Sequence, residues 1–394
     1  MKKPIFTTII FFAFYISASA QFGGLIDKVK DKAEEKVEKK VEDSMDKSSD
    51  DTKNNKKESN NNSENSNPDA NSTSAPDTKA YQNYDFVPGD KIIFEDNFAE
   101  DESGEFPSHW DLVSGQAQVN NFLGENIFAL TEGNYASVIP LMKTDTYLAS
   151  DTFTIEFDYY TQPGAYNQIG IRLWNPRNDE QSEDDNTIFV GYECTANNLT
   201  GTYPGESDDF SRNKWHHAAI ARKGKQLKVY EDQYRILNVP VFQAETYALN
   251  LVGIGDQEKP IMIRNVRIAQ GGNFNDTKHI VSESRIISHG ITFDIDKAIL
   301  KPESMGAINQ IFKVLKENPD IKYEIDGHTD NTGDPQHNIE LSQQRADAVK
   351  AQLVSMGIDS ARLTTKGFGD TKPISDNTTS EGKANNRRVE FIRV

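Results

Sequence analysis

Between residues 48 and 79 the chain reads SSDDTKNNKKESNNNSENSNPDANSTSAPDTK, a tract with almost no apolar side chain. Such a segment cannot bury enough surface to offset the entropy of ordering, so it reads as a disordered linker, taken here as 48–84. Ahead of it, residues 1–20 carry Lys2 and Lys3, an apolar run, and small residues at Ala18 and Ala20, the pattern of a signal peptide. Residues 21–47 place Leu25, Val29, Ala33, Val37, Val41 and Met45 four apart, a thin apolar stripe on a charged amphipathic helix. That stripe is too narrow for a globular core; it suits a partner helix or a solvated spacer. The folded domains are expected at 85–270 and 278–394.

Export is the expectation, with the mature chain starting at Gln21. The lone cysteine is Cys194, which precludes an internal disulfide and argues against a lipoprotein anchored at the new amino terminus. No later window approaches the roughly 18 apolar residues of a spanning helix. Most of the formal charge of −18 falls between residues 85 and 270, which makes nucleic acid a poor partner for that segment.

From 85 to 270 the texture is short β-branched and aromatic runs broken by Gly, Asn, Asp and Pro, the spacing of an all-β sandwich. In TFTIEFDYY, Phe153, Ile155, Phe157 and Tyr159 share one face and Thr154, Glu156 and Asp158 the other. QIGIRLW, TIFVGYE and IMIRNVRIA continue the theme, and WHHAAIARKGKQLKVYED predicts a hairpin turning about Lys223–Lys225. TFTIEFDYY, KWHHAAIARKGKQLKVYEDQ and the closing IRNVRIA resemble the concanavalin A-like jelly roll of laminin G-type domains and many lectins.

Residues 278–394 alternate strand and helix patterns. IISHGITFD reads as a strand. ESMGAINQIFKVLKENP reads as a helix opened by Pro302 and stopped at Pro319, with Met305, Ile308, Ile311, Phe312 and Leu315 at helical spacing. KYEIDGHTD predicts a strand ending in polar residues, and 336–356 a helix closed by Gly357. RLTTKGFGD and RRVEFIRV add strands, giving an α/β sandwich with helices against a small mixed sheet. Asp330 falls where a strand yields to a Gly-bearing loop, and Arg345 within the following helix. A carboxylate beside a guanidinium suits a zwitterion, since Arg offers a planar fork to a carboxylate.

The motifs ITFDIDKAILKPE, IDGHTDNTG, NIELSQQRADAVKAQL, GIDSARLTTKGFGDTKPISDN and EGKANNRRVEF, in that order, resemble the OmpA-like peptidoglycan-binding domain over its full length. The resemblance implies that Asp330 and Arg345 hold the diamino acid of the peptidoglycan stem peptide, meso-diaminopimelate or an equivalent. It implies supporting roles for Asp296, Asn338, Thr329, Leu341 and Arg387. Asn is often found where this chain has Asp296, and a second carboxylate there tightens ammonium binding or repels the ligand carboxylate. A membrane barrel ahead of this domain, common in the family, is not expected, because an acidic sandwich fills that slot.

Blander readings compete at each position. Asp330 and Arg345 suit an internal ion pair, and His328, Asp330 and His337 lack the compact spacing of a metal site. NDEQSEDDN at 178–186 has oxygen ligands suited to calcium in the sandwich, or is a solvated acidic loop. Trp174 suits sugar stacking and Trp215 the core, while His216 and His217 point to opposite faces of a strand. No pair of carboxylates can be picked out as a glycosidase couple. The expectation is a multidomain, non-catalytic envelope protein without cofactor, periplasmic or associated with the outer membrane. It is retained on the wall by its carboxyl-terminal domain, and its sandwich is free for a glycan or an outer-membrane protein. The alternative is a lectin or glycan-active enzyme that the wall-binding domain localises.

Overall fold

The computed structural model describes residues 80–131, 136–148, 151–164, 169–175, 186–244, 246–253, 258–272 and 284–394. The signal peptide, the charged helix, nearly all of the polar tract and nearly all of the acidic stretch 178–186 lie outside the described residues. The described residues are β-rich and form three sheets.

In chain order the first strands are β1 (Lys91–Asp96), β2 (Trp110–Ser114), β3 (Ala117–Phe122), β4 (Glu125–Leu130), β5 (Ala136–Pro140), β6 (Thr152–Thr161) and β7 (Ile169–Trp174). Then come β8 (Thr187–Val190), β9 (Glu193–Ala196), β10 (Leu199–Thr202), the short helix α1 (Ser207–Phe210), β11 (Lys214–Lys223), β12 (Gln226–Glu231), β13 (Tyr234–Val239), β14 (Ala248–Gly253) and β15 (Ile261–Gln270). One sheet runs β13-β12-β11-β6-β15-β4-β3, with β1 also on β15; the other runs β10-β9-β8-β7-β14-β5-β2. Their pairings are antiparallel. Phe153, Ile155 and Phe157 of β6, Ile171 and Leu173 of β7, Ile220 of β11 and Leu251 of β14 meet in one core between the sheets. The β11–β12 hairpin closes through Gly224, which adopts φ +57°, with Lys223 opposite Gln226.

Alternation along β6 is as the sequence predicts, and both faces are largely covered. Thr154 and Glu156 are buried too, because the rest of the chain covers the outside of that sheet. A strap ahead of β1 does part of this. Tyr84 and Phe86 pack on Ala219, Ala221 and Tyr230, where alanines on β11 leave room for two rings. On the strap's other side, Asn309 donates to the carbonyls of Tyr81 and Tyr84 at 3.0 Å each. Gly306 is required here: a Cβ would sit 1.7 Å from the Phe86 carbonyl oxygen. Edge strand β1 is capped in a similar way, since the Asn385 amide accepts from Ile92 N (3.1 Å) and donates to Ile92 O (2.8 Å).

The carboxyl-terminal region contributes β16 (Arg285–Ser288), α2 (Met305–Glu317), β17 (Tyr323–His328), α3 (Pro335–Ser355), β18 (Leu363–Gly367), α4 (Ser380–Asn386) and β19 (Arg388–Arg393). The sheet order is β16-β19-β17-β18, parallel only between β17 and β18. Ile308, Ile311 and Leu315 of α2 and Ala346, Val349 and Leu353 of α3 pack on Tyr323, Ile325 and Phe391 of the sheet. IISHGITFD is shorter as a strand than its pattern suggests. It leaves the sheet after Ser288 because Gly290 lies against Pro88, and the Thr292 N–H and C=O are both tied to the Ser304 hydroxyl at 2.9 Å. Close packing positions α3: Cβ atoms at Gly327 and Gly367 would lie 2.2 Å from Ser342 O and 2.4 Å from Gln343 N. The first half of α3 therefore rests directly on the ends of β17 and β18.

Candidate functional site

Immediately after β17 the backbone turns outward. Thr329 N–H donates to Gly369 O at 3.0 Å, and Asp330 begins a turn in which its Oδ1 accepts from Thr332 N at 2.9 Å. Asn338, buried on α3, clamps that turn by donating to the carbonyls of Asp330 (3.4 Å) and Thr332 (3.0 Å). Helix α3 starts cleanly at this point. Asp334 caps it by accepting from His337 N at 2.9 Å, and Pro335 fills the first helical position, where no N–H is needed.

Asp330 and Arg345 line one cleft of about 670 Å³, together with Thr329, Asn338, Leu341, Asp296 and Arg387. The two principal residues are held differently. Asp330 Oδ2 accepts from Arg387 Nη1 at 2.6 Å. Burial pushes the Asp330 carboxyl up, but Arg387 and the Thr332 N–H outweigh it and hold the group below the usual carboxylate range. Arg345 donates from Nε to Lys297 O (3.0 Å) and from Nη2 to Asp294 O (3.4 Å), and its guanidinium lies 5.0 Å from the Phe293 ring centre. Burial and the nearby Arg387 charge depress its pKa. Among the described residues no carboxylate lies within ion-pair distance of Arg345. The internal Asp330–Arg345 ion pair is thus not formed, and Asp330's ionic partner is Arg387.

Asp296 sits at φ +54° in the loop beneath Arg345 and meets His337 Nε2 at 2.5 Å on the exposed rim. The hydrogen bond to Asp296 holds His337 above the ordinary imidazole value. Thr329 Oγ1 is buried without a hydrogen-bond partner among the described residues. His328 is separate from His337: it stacks on Phe368 at 5.3 Å and lies beside Glu390. Asp326, His328 and Glu390 bring three donor atoms within 4.8 Å of one another. Glu390, however, already accepts from both Arg285 and Arg388, so this trio offers little net negative charge to a cation.

The opposite wall of the cleft comes from the sandwich, and no sequence motif marks it. Glu95, Glu156, Asp158, His217, Asn265 and Arg267 all line the same cavity. His216 and His217 do face opposite ways. His216 is buried against Phe210 on the inner side, 2.8 Å from Asp232. His217 turns to the cleft, 2.8 Å from Asp158. Arg387 joins the walls, since its second nitrogen pairs with Glu95, which also accepts from Arg267. Trp215 packs with Phe122 and Tyr160 in a satellite cluster outside the main core, under the Arg264 guanidinium at 4.1 Å.

Residues 292–387 match the OmpA family. The carboxyl-terminal region is thus an OmpA-like domain. The chain is 45% identical over 103 residues to Probable lipoprotein YiaD of Escherichia coli K12, covering 26% of this chain and 47% of that protein. It is 43% identical over 102 residues to the peptidoglycan-binding protein ArfA of Mycobacterium bovis, covering 26% of this chain and 31% of that one. It spans less than half the length of these two relatives. Among solved structures, the peptidoglycan-associated lipoprotein of Burkholderia pseudomallei is similar at 26% identity and TM-score 0.27, over 30% of this chain and 98% of that one.

Proposed function

We propose that this chain binds peptidoglycan noncovalently, holding the zwitterionic end of a stem-peptide diamino acid between Asp330 and Arg345. The observation that carries this reading is the state of Arg345. It is a partly desolvated cation, oriented by two carbonyls and an aromatic ring, that has no carboxylate partner among the described residues. A ligand carboxylate supplies one. The ligand ammonium takes the remaining lone pairs of Asp330, whose Oδ1 accepts from the Thr332 N–H and whose acid form is disfavoured. Asn338 and Thr329 fix the turn, Leu341 gives an apolar floor, and Asp296 adds charge near the ammonium. ArfA, by name a peptidoglycan-binding protein, supports the choice of ligand.

We read the sandwich as a concanavalin A-like jelly roll, on its two antiparallel sheets with non-sequential strand order. No bond is made or broken in this account; repeated copies of the ligand on the polymer strengthen retention beyond one contact. The protein belongs in this reading to the periplasm or the inner side of an outer membrane.

The test is cosedimentation of the full chain with purified sacculi. Arg345→Ala and Asp330→Ala are expected to weaken retention by roughly tenfold or more, as loss of one charge-assisted contact worth about 1.5–3 kcal/mol implies. Wild-type retention by both, with unchanged melting curves, refutes the assignment.

A further inference from the structure

We infer that the sandwich wall of the cleft is a second subsite of the same binding site, taking N–H or O–H donors of the wall polymer next to the diamino acid. The inference rests on the diamino-acid reading above. Its ground is geometry that reading leaves unused.

The cleft has the volume of a pocket for a ligand of many atoms, more than one amino-acid end requires. Across from Asp330, Glu156 is only 5% exposed, yet its Oε1 has no hydrogen-bond partner among the described residues. His217 Nε2 is also unpartnered by hydrogen bond, lying 3.7 Å from the other Glu156 oxygen. Buried carboxylate oxygens without donors are rare in folded chains, because each forfeits its water without replacement. Two of the neighbouring charged groups are already engaged elsewhere. Asp158 is held by His217 (2.8 Å), Asn265 (2.8 Å) and Arg264 (3.3 Å), and Arg267 is committed to Glu95 (2.8 Å). Glu156 Oε1 is thus a buried acceptor without a donor among the described residues, on a residue that lines the same cavity as Arg345. A ligand gripped by its diamino acid must continue from that grip, and an acceptor in the same cleft is placed to read what continues. Amides of the stem peptide and hydroxyls of the glycan share the required chemistry.

The experiment is titration of the full chain with three probes: free meso-diaminopimelate, a stem tripeptide containing it, and the disaccharide-linked stem peptide. Glu156→Gln removes the charge with little change of shape. It is expected to lose at least fivefold more affinity for the longer probes than for the free diamino acid. An extra loss already present with the tripeptide assigns the donor to peptide amide; one that emerges only with the disaccharide-linked probe assigns it to sugar hydroxyl. If Glu156→Gln and Glu156→Ala, both folded by their melting curves, keep the wild-type ratio of long-probe to free-probe affinity, the subsite is refuted. Should Arg345→Ala bind free diaminopimelate like wild type while the Glu156 variants still lose the longer probes, the diamino-acid reading fails and the subsite stands.

Discussion

On the OmpA-like side of the cleft the charged groups stand at the margins of regular structure: Asp330 just past β17, Asp296 in a loop at positive φ, Arg345 on an outward face of α3. On the sandwich side they stand within strands and at cross-strand register positions. His217 is opposite Asp158, Arg264 opposite Asp158 and Arg267 opposite Glu156. Directly facing strand positions bring opposite charges within reach, so the sheet wall neutralises most of its own groups before any ligand arrives. The loop wall has no such lattice and leaves Arg345 without a carboxylate partner among the described residues. A cleft with one wall of each kind has a rigid frame on one side and an available charge on the other.

That contrast depends on the two walls being held as one body, and the largest expected effect comes from breaking their junction. Phe86 is 1% exposed and contacts the Tyr84 and Tyr230 rings, the latter at 5.4 Å. Phe86→Ala should cost about 3–5 kcal/mol, the range for truncating a buried aromatic. Scanning calorimetry should then resolve separate transitions for the sandwich and the OmpA-like domain. Gly306→Val should do the same by overpacking against the Phe86 carbonyl, at a cost of about 1–3 kcal/mol. A single transition at the wild-type temperature in both variants would mean that the strap is not what couples the regions.

The same junction explains what the sequence reveals and what it hides. Periodicity was enough for the inner face of β6, the β11–β12 hairpin, α2 and α3, because each is a local pattern of apolar residues. Asp330 and Arg345 were legible as a candidate pair because their motif lies within one short stretch, and both line the cleft. Their true ionic arrangement was not, since Arg387 arrives from the far end of the domain and Glu95 from another sheet. Likewise, the pattern sets Thr154, Glu156 and Asp158 together on one face; alternation tells which side a residue takes but not what comes to lie over that side. The Tyr84–Phe86 strap fell in a stretch counted as linker and strand approach, and nothing local marks two aromatics as a staple between distant elements.

A second way to sharpen the comparison is pH, which should act on the sheet wall more than on the loop wall. Burial alone would lower the His217 pKa, but hydrogen bonding to Asp158 and the nearby Glu156 carboxylate hold it well above the usual value. Burial likewise pushes Asp158 up, and its bonds to His217 overcome this and bring it down to about 2. For a group whose folded pKa is raised, the folded state keeps a proton that the unfolded chain has released, so its stabilisation is complete below the unfolded pKa and is lost as pH rises through the folded one. Stability should therefore fall by about 1.4 kcal/mol per pH unit from this one proton, beginning near pH 6.5. The Asp158 contribution persists until pH drops below the usual carboxylate range toward 2. Denaturation measured from pH 6 to 9 should show the slope in wild type and a shallower one in Asp158→Asn. Equal slopes would detach His217 from Asp158.

The smallest effect should come from the loop wall itself, at the start of α3. Asp334 caps the helix through His337 N, and its removal in Asp334→Ala should cost about 1 kcal/mol, typical of a lost amino-terminal cap. The first turn of α3 carries both His337, which meets Asp296, and Asn338, which clamps the Asp330 turn. Fraying there loosens the loop wall without touching the sheet wall. Denaturant unfolding should thus register a small loss of stability, while the pH slope assigned to His217 stays at its wild-type value. A changed slope would show that the two walls share their electrostatics through Arg387 and Glu95 more than through separate local pairings.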